Sequence, residues 1–326
     1  MQTRSRLFNG LLLALALCTA PGFAAPTAAN PAHFGKGMII PAYISLDDAS
    51  DWNILKEGAA VMANGTNPAM RDYWIVANSG QNGPFSNATD WANAATVWNP
   101  IRANGGKVMG YVHTCLQPGG PYFRPLSTVE AEITTWVQGY PDLDGIWLDE
   151  FYPRFELADN DGATGPDYPN GTALAPADRG FVNSLNQFNG QQVNPAGGYY
   201  DQLMSWIRAT YPNLRIIANA GGAFYSNQLQ YANLPDVLVS FEQNFSVAAN
   251  SPTNDWAGLN RQVPNSQSGQ LALIHRNDSS LATAVDQAFA HGFSHVYTTN
   301  RLLENNVWGG LPPYLTSEIQ YIANHP

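Results

Sequence analysis

Eight short runs of apolar and β-branched residues recur along the chain: Gly37–Tyr43, Tyr73–Asn78, Lys107–Val112, Gly145–Asp149, Leu214–Ala220, Val237–Glu242, Leu271–His275 and His295–Thr299. Each is nearly continuous in hydrophobic character. A half-exposed strand would alternate, so unbroken runs of this length predict parallel strands covered on both faces. Helical patterns fill the intervals. Asp47–Met62 opens with an Asp-Asp pair, Thr89–Ala103 stops at Gly105-Gly106, and Ser127–Gln138 opens on Ser127-Thr-Val-Glu130, a capping-box pattern. Further helices fit Gly198–Thr210, Ser226–Ala232, Ser280–His291 and Pro313–Ala323.

Strands alternating with helices close most economically as a right-handed (β/α)8 barrel of the TIM type, and the length suits a single domain over residues 26–326. An open doubly wound sheet would carry a glycine-rich phosphate loop after an early strand. Neither G-x-G-x-x-G nor G-x-x-x-x-G-K-[ST] occurs. One connection is long: residues 151–198, rich in Asn, Asp, Gly and Pro, follow the fourth strand. An insertion at that point lies on the face where barrels keep their chemistry, and it either shapes a cleft or is a plain surface loop.

Composition adds an address and removes some partners. Arg4 and Arg6, the apolar stretch Leu11–Leu17 and small residues up to Ala24-Ala25 read as a signal peptide over residues 1–25, too short to span a bilayer. The expectation is a chain secreted or released to the periplasm, monomeric and without membrane insertion. Processing would remove Cys18 and leave Cys115 alone, so no internal disulfide is expected. Losing Arg4 and Arg6 takes the net charge from −10 to −12, which argues against nucleic acid as a partner. Low charge with many Trp, Tyr, Asn and Gly residues suits a carbohydrate, whose faces stack on rings and whose hydroxyls bond amides.

Barrels place their reactive groups at the C-terminal ends of strands. Read in order, those ends supply Tyr43, Asn78, Tyr111 with His113, Asp149 with Glu150, Asn219, Glu242, His275 and Asn300. The centre of this set is carboxylate. Glycosidic hydrolysis needs one carboxyl to protonate the departing oxygen and another to attack the anomeric carbon or activate water. Asp149 closes the apolar strand Ile146-Trp-Leu148, and Glu242 ends a strand two places further round. Glu150 points away from Asp149 if the strand continues; it is either catalytic or paired with an arginine such as Arg124 or Arg154. Tyr43, Asn78, Tyr111, His113, Asn219, His275 and Asn300 are the candidate substrate-binding residues. No metal-ligand spacing and no Gly-x-Ser-x-Gly elbow occurs, so neither metal nor other cofactor is expected.

Several motifs together resemble the spherulin-4 family: Ile40-Pro-Ala-Tyr43, Asp51-Trp52, Asn78-Ser-Gly80, Gly110-Tyr-Val-His-Thr114, Asp144-Gly-Ile-Trp-Leu-Asp-Glu150 and Phe241-Glu242. That resemblance runs from about Gly37 to Arg301. It implies a barrel hydrolase acting within α-1,4-linked (N-acetyl)galactosamine exopolysaccharides, with Asp149 as nucleophile, Glu242 as acid/base, Glu150 beside them, and retention of configuration. The sequence departs from the family at Asn78-Ser-Gly-Gln-Asn-Gly-Pro84, at Cys115 and in the length of the insertion. A chitinase-like enzyme is the nearest alternative. However, Trp147 and Phe151 stand where the strand Asp-Gly-x-Asp-x-Asp-x-Glu has acids. A non-catalytic sugar-binding or coat protein on the same barrel is the alternative of another class.

Overall fold

The computed structural model describes residues 35–78, 82–114, 124–151, 187–188, 191–192, 199–219, 233–245, 268–277, 281–302 and 306–326. Eight parallel strands form a closed barrel: β1 Gly37–Ala42, β2 Asp72–Ala77, β3 Lys107–His113, β4 Gly145–Asp149, β5 Arg215–Asn219, β6 Val237–Asn244, β7 Gly269–His275 and β8 His295–Thr298. Each pairs with the next, and β8 closes on β1 through Gly37 beside His295 and Met38 beside Val296. Around the strands lie α1 Ala49–Ala63, α2 Ala88–Ala103, α3 Leu126–Gly139, α4 Tyr199–Thr210, α5 Leu281–Ala290 and α6 Leu315–Ala323. This is the (β/α)8 barrel that the apolar runs predict. The signal segment 1–25, Cys115, the helix expected over Ser226–Ala232 and most of the insertion 151–198 lie outside the described residues.

Two local expectations need correction. The helix predicted from Ser127 starts one residue earlier, with Pro125 at the N-cap and no side-chain cap bond, so Ser127 does not form a capping box. The proline ring already fixes φ at −51°, which turns the chain into the helix without a capping hydroxyl. The strand expected to stop at Glu242 continues to Asn244, because an irregularity lets it stay paired with β7. The capping role of the Asp47-Asp48 pair falls to Asp48, whose carboxylate accepts from the backbone N–H of Asp51.

Neighbours in register across a parallel sheet point to the same side, and successive residues alternate. Following pairs round the ring links Ile39, Trp74, Lys107, then Met109 and Gly145, then Trp147, Ile217 and Val237, then Val239, Leu271 and His295. These residues line the barrel's interior. The outer positions pack on helices. At Gly110 a Cβ would run into the Trp136 ring, so glycine lets α3 lie directly on β3, and the Trp136 indole N–H donates to the Tyr111 carbonyl at 2.9 Å.

The interior is sealed at the strand starts by an ionic floor. Asp72 bonds the Lys107 ammonium at 2.5 Å and the His295 Nε2 at 3.2 Å, and Lys107 lies 4.5 Å over the Trp74 ring. Ser294 Oγ stands 2.8 Å from the other ring nitrogen of His295, which is wholly buried. Burial alone would raise the Asp72 carboxyl, but His295 and Lys107 outweigh it and hold the group well below the usual carboxylate range. A carboxylate with a depressed folded pKa adds stability above its unfolded value, near 3.8, and loses it as pH falls. Asp72→Asn should therefore destabilise the barrel by about 2–4 kcal/mol at pH 7. The gap to wild type should narrow at pH 3, as measured by urea unfolding at the two pH values.

Candidate active site

At the opposite, C-terminal end of the strands, β4 stops because Glu150 leaves the strand with φ +56°. This left-handed conformation costs a residue with a side chain about 1–3 kcal/mol. The turn is held on every side. The Thr114 backbone N–H donates to the Asp149 carbonyl at 3.1 Å, and Thr114 Oγ1 lies 3.1 and 2.9 Å from the Asp149 and Glu150 carbonyls. The Tyr200 hydroxyl donates to the Glu150 carbonyl at 3.1 Å, and the Phe151 N–H donates to the Asn219 carbonyl at 2.7 Å. Phe151 is fully buried with its ring 4.1 Å from that of Tyr200. The position that holds the terminal acid in the chitinase pattern is therefore an apolar wall here.

This clamp aims Asp149 inward, next to His113 on β3 and beside Asn219 on β5. The Tyr111 hydroxyl donates to Asp149 Oδ2 at 2.6 Å, and Asn219 Nδ2 donates to Asp149 Oδ1 at 2.9 Å. The same Asn219 nitrogen donates to Glu242 Oε2 at 3.0 Å. These two oxygens thus lie no further apart than the two legs laid end to end. An amide whose two N–H bonds diverge by about 120° and meet one oxygen each would set such oxygens about 5 Å apart. The second Glu242 oxygen, Oε1, accepts from the Trp308 indole at 3.1 Å.

Glu242 reaches this position through a β-bulge. Val239 pairs with Leu271 on the inner face, but the next pair on that face is Glu242 with Leu273, since Ser240 is an extra residue. A regular strand would put Phe241 opposite Leu273 and turn Glu242 outward, because a shift of one residue exchanges the faces. With the bulge, Phe241 faces out against Phe293, ring centroids 6.5 Å apart, and Glu242 faces Asp149.

The two carboxyls are electrostatically unequal. Burial raises both. For Asp149 it is opposed by the Tyr111 hydroxyl, the Glu150 backbone N–H and the Asn219 amide, leaving a raised value. For Glu242, burial and the Asp149 charge together push the group up to about 7, against the Asn219 and Trp308 donors. The partner with more hydrogen-bond donors ionises first, and Glu242 keeps its proton close to neutrality. Such a pair supplies one anion and one acid to the same point.

The other predicted positions divide. Tyr43, one residue past β1, lies edge-on to Tyr111 at 5.3 Å, and burial followed by Asp149, Tyr111 and Glu242 raises its hydroxyl well above the ordinary value. His113 faces the same interior, with Nδ1 3.2 Å from the Asn82 carbonyl, and burial and Arg124 hold its ring below the usual histidine range. His275 ends β7 on the inner face beside Asn244. Asn300 is exposed just beyond β8. Asn78 is buried, accepts from the Asn82 N–H at 2.9 Å and directs its amide nitrogen to the Asn82 side-chain oxygen at 3.3 Å, while the Asn82 carbonyl meets His113. Glu150 is buried behind the turn, and Arg124 forks onto Glu132 and the His113 carbonyl. Sequence reading missed Trp308, which lies in a loop rather than at a strand end, and missed the clamp by Thr114 and Tyr200. Among the described residues, no three His, Cys, Asp or Glu side chains gather as a metal site.

The family model named Spherulin4, spherulation-specific family 4, matches residues 37–166. Residues 37–166 carry the spherulin-4 pattern. The matched span includes Asp149 and Glu150 and ends before Asn219 and Glu242. Comparison with curated proteins finds no match. In structure the chain is similar to Sph3 of Aspergillus clavatus, solved in complex with GalNAc, at 18% identity over 90% of this chain and 99% of that one, with a TM-score of 0.59. It is more distantly similar to active domain 2 of a Pyrococcus furiosus chitinase (12% identity, 90% and 96% covered, TM-score 0.44). The glycoside hydrolase family 5 enzyme PbGH5A of Prevotella bryantii stands equally far (12%, 91% and 97%, 0.45). The Sph3 likeness supports the barrel described above.

Keeping Glu242 poised costs stability. Its folded value is raised from 4.5 to about 7, so stability falls as pH rises through that window and stays lowered above it. Glu242→Gln, which removes the charge and keeps an acceptor, should therefore stabilise the protein at pH 8 by about 1–3 kcal/mol and change it little at pH 4. Melting temperatures of the two proteins at the two pH values test this.

Proposed function

We propose that the protein is a retaining, endo-acting glycoside hydrolase that cleaves α-1,4-linked (N-acetyl)galactosamine exopolysaccharide. One observation carries this reading: a single amide nitrogen, that of Asn219, bonds both Asp149 at 2.9 Å and Glu242 at 3.0 Å, and the two carboxyls have unequal proton affinities. Retaining glycosidases separate their carboxyls by about 5–5.5 Å, whereas inverting ones leave roughly 6.5–9.5 Å for a water. The sugar class rests on the spherulin-4 pattern and on the similarity to Sph3, the protein solved with GalNAc.

In the proposed reaction Asp149 attacks the anomeric carbon while Glu242 gives its proton to the departing glycosidic oxygen. Glu242, now a carboxylate, then takes a proton from water, whose oxygen displaces Asp149 from the same carbon. Tyr111 holds the Asp149 oxygen it bonds, Asn219 fixes the separation, and Tyr43 and His113 line the approach for sugar hydroxyls. The signal-like residues 1–25 fit action on a polymer outside the cell.

Incubation with purified galactosaminogalactan should release new reducing ends, and Asp149→Ala and Glu242→Gln should each lower turnover about 10³-fold or more. Proton NMR of the first-formed product should show the α anomer. Binding without products from wild type would overturn the hydrolase reading, and a β anomer would overturn retention.

A further inference from the structure

Glu242 is anchored at both oxygens by donors from opposite sides: Asn219 of β5 on Oε2, and the Trp308 indole on Oε1. A carboxyl held at one oxygen still swings about its last side-chain bond, while one held at both keeps a fixed plane. Trp308 is itself well fixed. It is 9% exposed, its ring stands 5.9 Å from that of Tyr297 on the inner face of β8, and it sits in a turn closed by the Gly309 N–H on the Asn306 carbonyl at 2.9 Å. Asn306, at the head of this turn, takes the left-handed conformation, φ +51°. The indole N–H donates and never accepts, so it favours the carboxylate over the acid and has no place to receive the proton. Its bond strengthens as the proton leaves Glu242, which is when charge develops on that oxygen.

We propose that Trp308 is a positioning residue for Glu242, fixing the plane of the carboxyl and easing its passage from acid to base during the reaction. The inference rests on the hydrolase reading above and adds to it the role of a residue outside both the strand ends and the matched family span. The titratable groups facing Glu242 are Asp149, Tyr43 and Tyr111, with His275 on the neighbouring strand. None of them replaces an N–H donor at Oε1.

The test compares Trp308→Phe, which keeps a ring and removes the N–H, with wild type across pH on the galactosamine polymer. Losing the donor makes Glu242 hold its proton more tightly. The basic limb of the kcat/KM profile should move up by about half to one pH unit, and kcat should fall about three- to tenfold with KM nearly unchanged. A purely structural role would lower the whole profile without moving its limb, and that result would overturn the proposal. Where the phenylalanine variant does not fold, benzothienylalanine at position 308 preserves the two-ring shape without the N–H. A ¹³C-carboxyl titration of Glu242 in that protein reads the same upward shift without needing activity, and an unmoved titration overturns the proposal. The parent reading fails separately: wild type then yields no products, or Glu242→Gln remains active. An inactive Glu242→Gln with an unmoved Trp308→Phe profile removes only the role of Trp308.

Discussion

The site depends on one shared donor. The Asn219 amide has two hydrogens on one nitrogen, one reaching Asp149 and the other Glu242. Its planar geometry sets the gap between the carboxyls more rigidly than packing alone would, because neither oxygen can move without lengthening a bond to the same atom. Two buried carboxyls this close cannot both ionise easily. The amide does not remove that conflict; it fixes the distance at which the conflict operates. Asp149, with more donors, carries the negative charge, and Glu242 keeps its proton up to about pH 7.

Three backbone features, each locally unfavourable or irregular, deliver side chains to the carboxyl pair. Glu150 turns left-handed and ends β4, the bulge at Ser240 exchanges the faces of β6, and Asn306 starts the turn that carries Trp308. The surroundings compensate in each case. Thr114, Tyr200 and Asn219 hold the Glu150 turn, Ser240 bonds the Gln270 side chain at 2.8 Å, and Tyr297 backs Trp308. Among the described residues, the non-glycine positions with positive φ, Asn82, Glu150, Arg276 and Asn306, all follow strands on the side of the mouth. The opposite end has regular pairing and a floor in which Asp72 satisfies Lys107 and His295. The barrel thus separates a stabilising end from an end whose ionisation works against stability.

Much of this was legible in the residues. Parallel strands buried on both faces must be apolar throughout, so all eight appear as hydrophobic runs, and their polar ends pick out Asp149, Asn219 and Glu242. The distinction between binding and bracing was not legible. Asn78 occupies a strand end as Asn219 does, yet its amide closes onto Asn82 while that of Asn219 spans two carboxyls. Local sequence does not encode which neighbours meet a side chain across the ring. The bulge was hidden for a related reason: Val237 to Glu242 reads as one apolar run with either parity, and only the pairing with β7 shows that Ser240 is extra.

That hidden parity bears on how the site is specified. A carboxylate facing the helices from a regular β6 would take the place of the Phe241 ring beside Phe293. Facing inward, it meets Asn219 and Trp308. Glu242 therefore gains from the bulge in the folded state even though the bulge disrupts the ladder, because an unpaired buried carboxyl would cost more than one lost strand pair. The alternative register is disfavoured by Phe241 as well, which would exchange its outer packing against Phe293 for a place among the carboxyls. Phe241-Glu242 thus sets the register from both sides: the ring is satisfied only outside and the acid only inside. The pair Phe241-Glu242 fixes, in three dimensions, which way the acid points.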